Sequence, residues 1–289
     1  MHSPLSKRDW RLAHGRSLCL GPRGLIMAII NVTPDSFSDG GRNYSRDAAV
    51  ENALRAVEEG AEIIDVGGES TRPGAAEVTA EEEQARVVPV IAELARRSDV
   101  IISVDTYRAS TAEAAVGAGA HIINDVHGLQ REPDIAKVAA ATGAGLVIMH
   151  TGRGREKLPD VIDDQFLFLR QSLEIADQAG VDPAQIVLDP GFGFNKETVD
   201  DNMQLMARLS QMHALGYPLL VGTSRKRFLG TITGREAAGR DAATAATTVL
   251  TRMKGAAIFR VHDVAFNRDA LMVADAMLAA ASASEETSQ

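Results

Sequence analysis

Eight short apolar runs recur along the chain, at 25–30, 63–66, 100–104, 121–123, 145–149, 186–188, 219–221 and 258–261. They are rich in Ile, Val and Leu and show no polar alternation, which is the pattern of parallel strands covered on both faces. Segments of helical period lie between and after them, at 46–60, 79–97, 108–117, 133–142, 163–180, 198–215, 242–255 and 268–281. In the first, Ala49, Val50, Ala53, Leu54 and Val57 share one face. The second opens with a capping box, Thr79 followed by Glu82, and carries Pro89 midway, where a bend or a tightening is expected. Gly60, Gly117, Gly143, Gly180, Gly216 and Gly255 stand near helix ends, where a left-handed C-cap suits glycine.

Eight strand–helix units define an α/β chain of the (β/α)8 TIM-barrel class. At roughly 150 residues per domain, 289 residues would allow two domains, but no Pro/Gly-rich linker divides the chain. The reading is a short N-terminal extension at 1–24, a small hairpin closing the bottom of the barrel, then a barrel at 25–280 and a small polar, frayed tail at 281–289. A doubly wound open sheet is the alternative. No G-x-G-x-x-G follows the first run, which argues against a dinucleotide fold.

Composition narrows the function. Hydrophobic residues make up 45% and charged residues 24%, as in an ordinary globular enzyme. The net charge of −9 excludes nucleic acid or an anionic membrane as the main partner, and at first sight it also argues against an anionic substrate. The single Cys19 forms no internal disulfide and no cysteine metal cluster, which fits a reducing cytoplasm. Residues 1–24 scatter charges where a signal peptide needs an apolar stretch, and no run approaches the ~20 residues of a membrane span.

Barrel enzymes carry their chemistry at the C-terminal ends of the strands. Here those ends are Asn31, Asp65, Asp105, Asn124 with Asp125, His150, Asp189, Thr223 to Arg227, and Arg260 with His262. Any one of them is explained as a polar residue marking a strand end. Together they put carboxylates, amides and cations around one mouth, suited to a flat polar heterocycle on one side and an anion on the other. In Gly67-Gly68-Glu69-Ser70-Thr71-Arg72-Pro73-Gly74, glycines permit close backbone approach while Thr71 and Arg72 suit phosphate oxygens. Gly222-Thr223-Ser224-Arg225-Lys226-Arg227 puts three cations at another strand end, opposite Asp189. With Arg72 and Arg260, these concentrate positive charge on one barrel face.

These stretches resemble the bacterial dihydropteroate synthase family. Its two signature loops match Asn31-Val32-Thr33-Pro34-Asp35-Ser36-Phe37-Ser38-Asp39-Gly40-Gly41 and Asp65 through Gly74. Ser103-Val104-Asp105-Thr106, Ile123-Asn124-Asp125, Leu188-Asp189-Pro190-Gly191-Phe192-Gly193-Phe194, Ser224-Arg225-Lys226 and Arg260-Val261-His262-Asp263 continue the match in order. The segment 151–162 departs from it, lacking the Met/Gln/Pro-containing loop of many members and setting Arg153, Arg155 and Lys157 near the expected mouth.

The resemblance implies condensation of (7,8-dihydropterin-6-yl)methyl diphosphate with 4-aminobenzoate to give dihydropteroate and diphosphate. It implies a pterin site of Asp105, Asn124, Met149, Asp189, Lys226 and Arg260, with Asp105, Lys226 and Arg260 catalytic. Asn31, Thr71, Arg72, Arg260 and His262 would take the diphosphate, with Mg²⁺ on Asn31. Phe37, Pro73, Phe194, Ser224 and Arg225 would surround the aminobenzoate, and Phe37 and Pro73 match a sulfonamide-sensitive pattern. His150 is read as structural or orienting rather than as a base. The loops 32–41 and 70–74 are expected to order over bound diphosphate, and the later helices to form a homodimer. Two other readings remain: a pterin-dependent methyltransferase barrel, which has no use for the Thr71-Arg72-Pro73 loop, and a non-catalytic pterin-binding paralogue, which should have lost Asn31, Arg72 or Lys226.

Overall fold

A computed structural model of the chain describes residues 5–32, 42–69, 77–196 and 198–286, with the side chains of 42–45 and 282–286 excepted. All eight apolar runs form strands, within a residue or two of the boundaries expected. After a hairpin of β1 (Arg8–Arg11) and β2 (Ser17–Leu20) come β3 (Leu25–Asn31), β4 (Ile63–Gly67), β5 (Ile101–Asp105), β6 (Ile122–Asp125), β7 (Gly145–Met149), β8 (Ile186–Asp189), β9 (Leu220–Val221) and β10 (Ile258–Val261). They pair in parallel in the order β8-β7-β6-β5-β4-β3-β10-β9. Between β9 and β8 the ring is joined by a parallel bridge, Leu188 to Leu219, with Leu188 N–H donating to Pro218 O at 3.0 Å. The barrel is nearly closed.

Successive residues along each strand alternate between two layers. Leu25, Met27, Ile63, Ile101, Ile122 and Val147 belong to the inner cluster, and β8, β9 and β10 add Val187, Leu220 and Ile258. Their chain neighbours Ile26, Ala28, Ile64, Ile102 and Ile123 face outward into the larger core beneath the helices. The hairpin closes the bottom as expected: Trp10, Leu12 and Leu20 join the inner cluster. Trp10 is 2% exposed, and its indole N–H donates to Gln185 O at 2.7 Å.

The helices are α1 (Arg42–Glu58), α2 (Ala80–Arg97), α3 (Ala109–Gly117), α4 (Asp134–Thr142), α5 (Val161–Gln178), α6 (Val199–Ala207), α7 (Arg227–Thr233), α8 (Asp241–Arg252) and α9 (Val264–Glu286). The capping box forms on both sides, Glu82 N–H to Thr79 Oγ1 and Thr79 N–H to the Glu82 carboxylate, and α2 runs on through Pro89.

Four expectations need correction. The segment 198–215 is not one helix: α6 stops at Arg208, and a 3-10 stretch, Leu209–Leu215, carries the chain to the left-handed Gly216. The short α7 was not expected, because Gly230 and the β-branched Thr231, Ile232 and Thr233 weaken helical propensity and seven residues show little period. The left-handed glycine after α3 is Gly119, at φ +115°, rather than Gly117. The last helix continues past 281 to Glu286, since its Ala- and Glu-containing end favours a helix; 287–289 lie outside the described residues.

Trp10 both seals the inner layer and satisfies a backbone carbonyl, so Trp10→Ala should cost about 3–5 kcal/mol in a urea unfolding experiment followed by far-UV circular dichroism. A loss below about 1 kcal/mol would mean the hairpin is not part of the core.

Candidate active site

The side-chain alternation that builds the inner core also builds the mouth. Two residues beyond Ile63, Ser103, Ile122, Val147, Val187, Leu220 and Ile258 stand Asp65, Asp105, Asn124, Met149, Asp189, Gly222 and Arg260. Strand register then sets Asp105 level with Asn124 and Met149 level with Asp189. The interior thus turns from aliphatic to charged over one step of each strand.

Arg260 organises this layer. Its Nε donates to Asp65 Oδ2 and its Nη2 to Asp105 Oδ2, both at 2.6 Å, while Asn124 Nδ2 donates to Asp65 Oδ2 at 3.1 Å. Burial works against the guanidinium charge, but Asp65 and Asp105 overcome it and hold its pKa above the usual arginine value. Burial raises Asp105, Arg260 opposes that rise, and the neighbouring carboxylates of Asp65 and Glu83 add to it. Asp65 is 0% exposed, and its Oδ1 has no protein partner.

Asp189 is oriented by the turn that follows it. Gly191 N–H donates to Asp189 Oδ1 at 2.7 Å, and burial pushes the carboxyl up to about 6. A Cβ placed on Gly222 would lie 3.9 Å from Asp189 Oδ2 and 3.8 Å from Arg260 Cβ, so this glycine keeps the space between the two open. Met149 and Phe194 are buried with Val126 in a separate small apolar cluster. The Lys226 ammonium stands 4.1 Å from the centre of the Phe194 ring and the Arg153 guanidinium 4.6 Å. Burial and the nearby Arg260 push Lys226 down to about 8, leaving it mostly charged near neutrality.

The rim is more mixed than the sequence led us to expect. Ser224 Oγ lies 2.9 Å from His262 Nδ1 and accepts the His262 N–H at 3.1 Å. Arg225, at φ +56°, donates through Nε and Nη2 to both oxygens of Asp241, so its charge is balanced within the fold. Arg227 is exposed at the start of α7, and Asn31 is exposed at the end of β3. Positive charge is therefore less concentrated at this mouth than the residue count implies. Phe37, Thr71, Arg72 and Pro73 lie outside the described residues, as does nearly all of the two loops expected to order over diphosphate.

The sequence named Asp65 as a strand-end acid but gave it no role, although its two-residue spacing from Ile63 put it on the inward face. Lys196 and Asp164 were missed altogether, because nothing in their local pattern marks them. They join His150, whose Nε2 lies 3.0 Å from Asp164 Oδ2 and whose Nδ1 lies 3.0 Å from Lys196 Nζ. Burial and the Lys196 ammonium push His150 down to about 3, so it is neutral. The atypical segment 151–162 turns Arg155 inward onto Asp164 and ties Lys157 Nζ to Asn195 O at 2.6 Å.

A barrel mouth that gathers strand-end acids and an amide beside a small apolar patch, with two half-buried cations among them, fits a pterin-binding enzyme. Residues 27–262 match the family described as pterin binding enzyme, and the chain belongs to it. The chain is 48% identical over 257 residues to the dihydropteroate synthase of Bacillus subtilis (strain 168), covering 88% of each. The solved Xanthomonas albilineans dihydropteroate synthase with 4-aminobenzoic acid superposes with a TM-score of 0.88 at 44% identity, covering 94% of this chain and 99% of that one. A Yersinia pestis dihydropteroate synthase in complex with a sulfonamide drug gives a TM-score of 0.85 at 42% identity, covering 93% and 98%. Within the pterin-binding enzymes the chain is thus a member of the dihydropteroate synthase family, a family of transferases.

Removing Arg260 would leave Asp65 and Asp105 buried without their cation. Asp105, which burial already raises, would then titrate still further above its unfolded value, so the folded chain would bind more protons than the unfolded one and lose stability as pH rises. Arg260→Ala should cost about 3–5 kcal/mol at pH 8 and clearly less at pH 5. Thermal unfolding across that range checks it, and a pH-independent difference from wild type would contradict the charge network.

Proposed function

We propose that this chain joins 4-aminobenzoate to (7,8-dihydropterin-6-yl)methyl diphosphate, forming 7,8-dihydropteroate and releasing diphosphate. The observation that carries the reading is the convergence of strand-end groups at one mouth: Asp105 paired with Arg260, Asn124 tied to the same network through Asp65, and Asp189 within the field of Lys226 and Arg260, beside the Met149–Phe194 patch. A pterin offers adjacent N–H donors along one edge, and the Asp189 carboxylate accepts both. Asp105 and Asn124 meet the opposite edge, Lys226 the carbonyl and N5 side, and Met149 and Arg260 the ring faces.

In the reaction, the bond between the pterin methylene carbon and the diphosphate oxygen breaks, and the electron pair leaves with diphosphate. The amine nitrogen of 4-aminobenzoate forms the new bond to that carbon, and the proton of the resulting ammonium passes to solvent. The dihydropterin ring spreads the positive charge that builds on the methylene, and anionic Asp105 beside the ring stabilises it. Burial works against that anion, and the 2.6 Å contact with Arg260 is what favours it. The aryl amine is already neutral, so no strong base is needed, which suits a His150 buried and engaged on both ring nitrogens.

Thr71, Arg72, Arg260 and His262 are assigned to the diphosphate, and Phe37, Pro73, Phe194, Ser224 and Arg225 to the aminobenzoate. Arg225 meets it while still paired with Asp241. The exposed amide of Asn31 fits Mg²⁺ as one protein oxygen among phosphate and water ligands, an arrangement this hard cation favours. When bound, Mg²⁺ supplies positive charge to the departing diphosphate. Sulfonamides compete for the aminobenzoate site. Two copies pair through the α8–α9 face, where Leu250, Met253, Phe266, Met272, Val273 and Met277 are exposed. No described helix is long and apolar enough to cross a membrane, and the lone Cys19 favours the cytoplasm.

Diphosphate release should require both the pterin diphosphate and 4-aminobenzoate. Tight pterin binding without release would instead favour a binding module, and activity needing a methyl carrier would favour a methyltransferase. Lys226→Ala and Arg260→Ala should each lower kcat/KM at least ~10²-fold, and near-wild-type activity in either contradicts the assignment. Asp189 must be ionised to accept two N–H groups. KM for the pterin substrate should therefore rise as pH falls through about 6, whereas a KM flat down to pH 5 would remove Asp189 from the grip.

A further inference from the structure

Behind the mouth lies a buried polar chain that the reaction above does not use. Lys196 is 4% exposed, and its ammonium donates to Gly191 O at 2.8 Å and to His150 Nδ1 at 3.0 Å. Nδ1 thus faces the ammonium, while Nε2 lies 3.0 Å from Asp164 Oδ2 and 2.9 Å from Arg155 Nη2, so both ring nitrogens are engaged. Arg155, itself against the histidine, also grips Asp164, Nη1 to Oδ1 at 2.9 Å and Nη2 to Oδ2 at 2.6 Å, and Leu158 N–H adds 2.8 Å to Oδ1.

The two groups that Lys196 holds are the two that hold Asp189. Gly191 N–H donates to the Asp189 side chain, and His150 N–H donates to its carbonyl at 2.8 Å. Gly191 sits at φ +62°, and a Cβ there would lie 2.0 Å from His150 O, so the turn presses directly on the histidine backbone. Architecture alone does not explain the lysine. Asn202 already fastens this loop through Gly193 N–H, Lys196 O and Thr198 O, and a buried ammonium is costly unless it is well paired. Burial pushes Lys196 down to about 7, with Asp189 and Asp164 acting to keep it charged.

We infer that Lys196 is a positioning residue for the pterin-gripping carboxylate. It fixes the direction of Asp189 through Gly191 and His150, and the atypical segment 151–162 anchors it through Arg155 and Asp164. This rests on the reading that Asp189 holds the pterin.

The test titrates a dihydropterin bearing a hydroxymethyl group in place of the diphosphate into wild type, Lys196→Met and Arg155→Ala by calorimetry, with steady-state kinetics beside it. Loss of the charged donor in Lys196→Met should weaken binding at least ~10-fold and raise KM for the pterin diphosphate by a similar factor, with KM for 4-aminobenzoate changed less than ~2-fold. Arg155→Ala, at the partly exposed end, should show the same selectivity at about 3-fold. Wild-type affinity in folded Lys196→Met, or equal losses for both substrates, overturns the inference. If Lys196→Met does not fold, Arg155→Ala decides: a pterin-selective loss supports it and no selective loss overturns it. A wild-type chain that fails to bind the dihydropterin overturns the function itself, whereas a binding wild type with unaffected variants overturns only this role.

Discussion

A guanidinium drawn inside the barrel mouth has to be neutralised, and the way Arg260 is neutralised shapes everything around it. It reaches from β10 to Asp65 on β4 and Asp105 on β5, and Asp65 in turn takes the amide of Asn124 on β6. At an effective dielectric near 20, each contact of this kind is an attraction of about 4 kcal/mol before desolvation is counted. The arrangement exposes a cation to the cavity while fixing two acids and an amide at known heights. A site that binds a neutral, donor-rich heterocycle and stabilises charge during bond breaking needs groups held in this way before the substrate arrives.

The same strands supply the opposite environment one or two steps lower. Trp10 and Leu12 from the hairpin close an aliphatic layer below the charged one, so the polar groups have water on one side only. This low-dielectric floor is why burial leads the shifts of Asp105, Asp189 and Lys226. Bulk charge says little about such a place. The net −9 of the chain is screened beyond roughly 10 Å, and the balance at the mouth is set by Asp65, Asp105, Asp189, Arg260 and Lys226.

Much of this was legible in the sequence because both the fold and the site rest on short periods. Unbroken Ile/Val/Leu runs announce buried parallel strands, and the polar residue that ends each run announces the mouth. The inward face can even be counted, as Ile63 to Asp65 or Ile258 to Arg260. What was not legible depends on partners far apart in the chain. Asp65 gains its role from Arg260, 195 residues away, and Lys196 from His150, 46 residues away. Arg225 looked like a free cation until Asp241 was seen to occupy it. The break at Arg208 and the short α7 were hidden for a different reason: weak local period is decided by packing against neighbours.

The account's central claim is that this ring of strand-end groups grips a pterin. A crystal structure of the chain with a dihydropterin bound tests it most directly. The ring should lie between Met149 and Arg260, with both oxygens or one oxygen of Asp189 accepting its paired N–H groups and Asn124 and Asp105 on the opposite edge. A dihydropterin bound elsewhere, or in the mouth without touching Asp189, would contradict the claim.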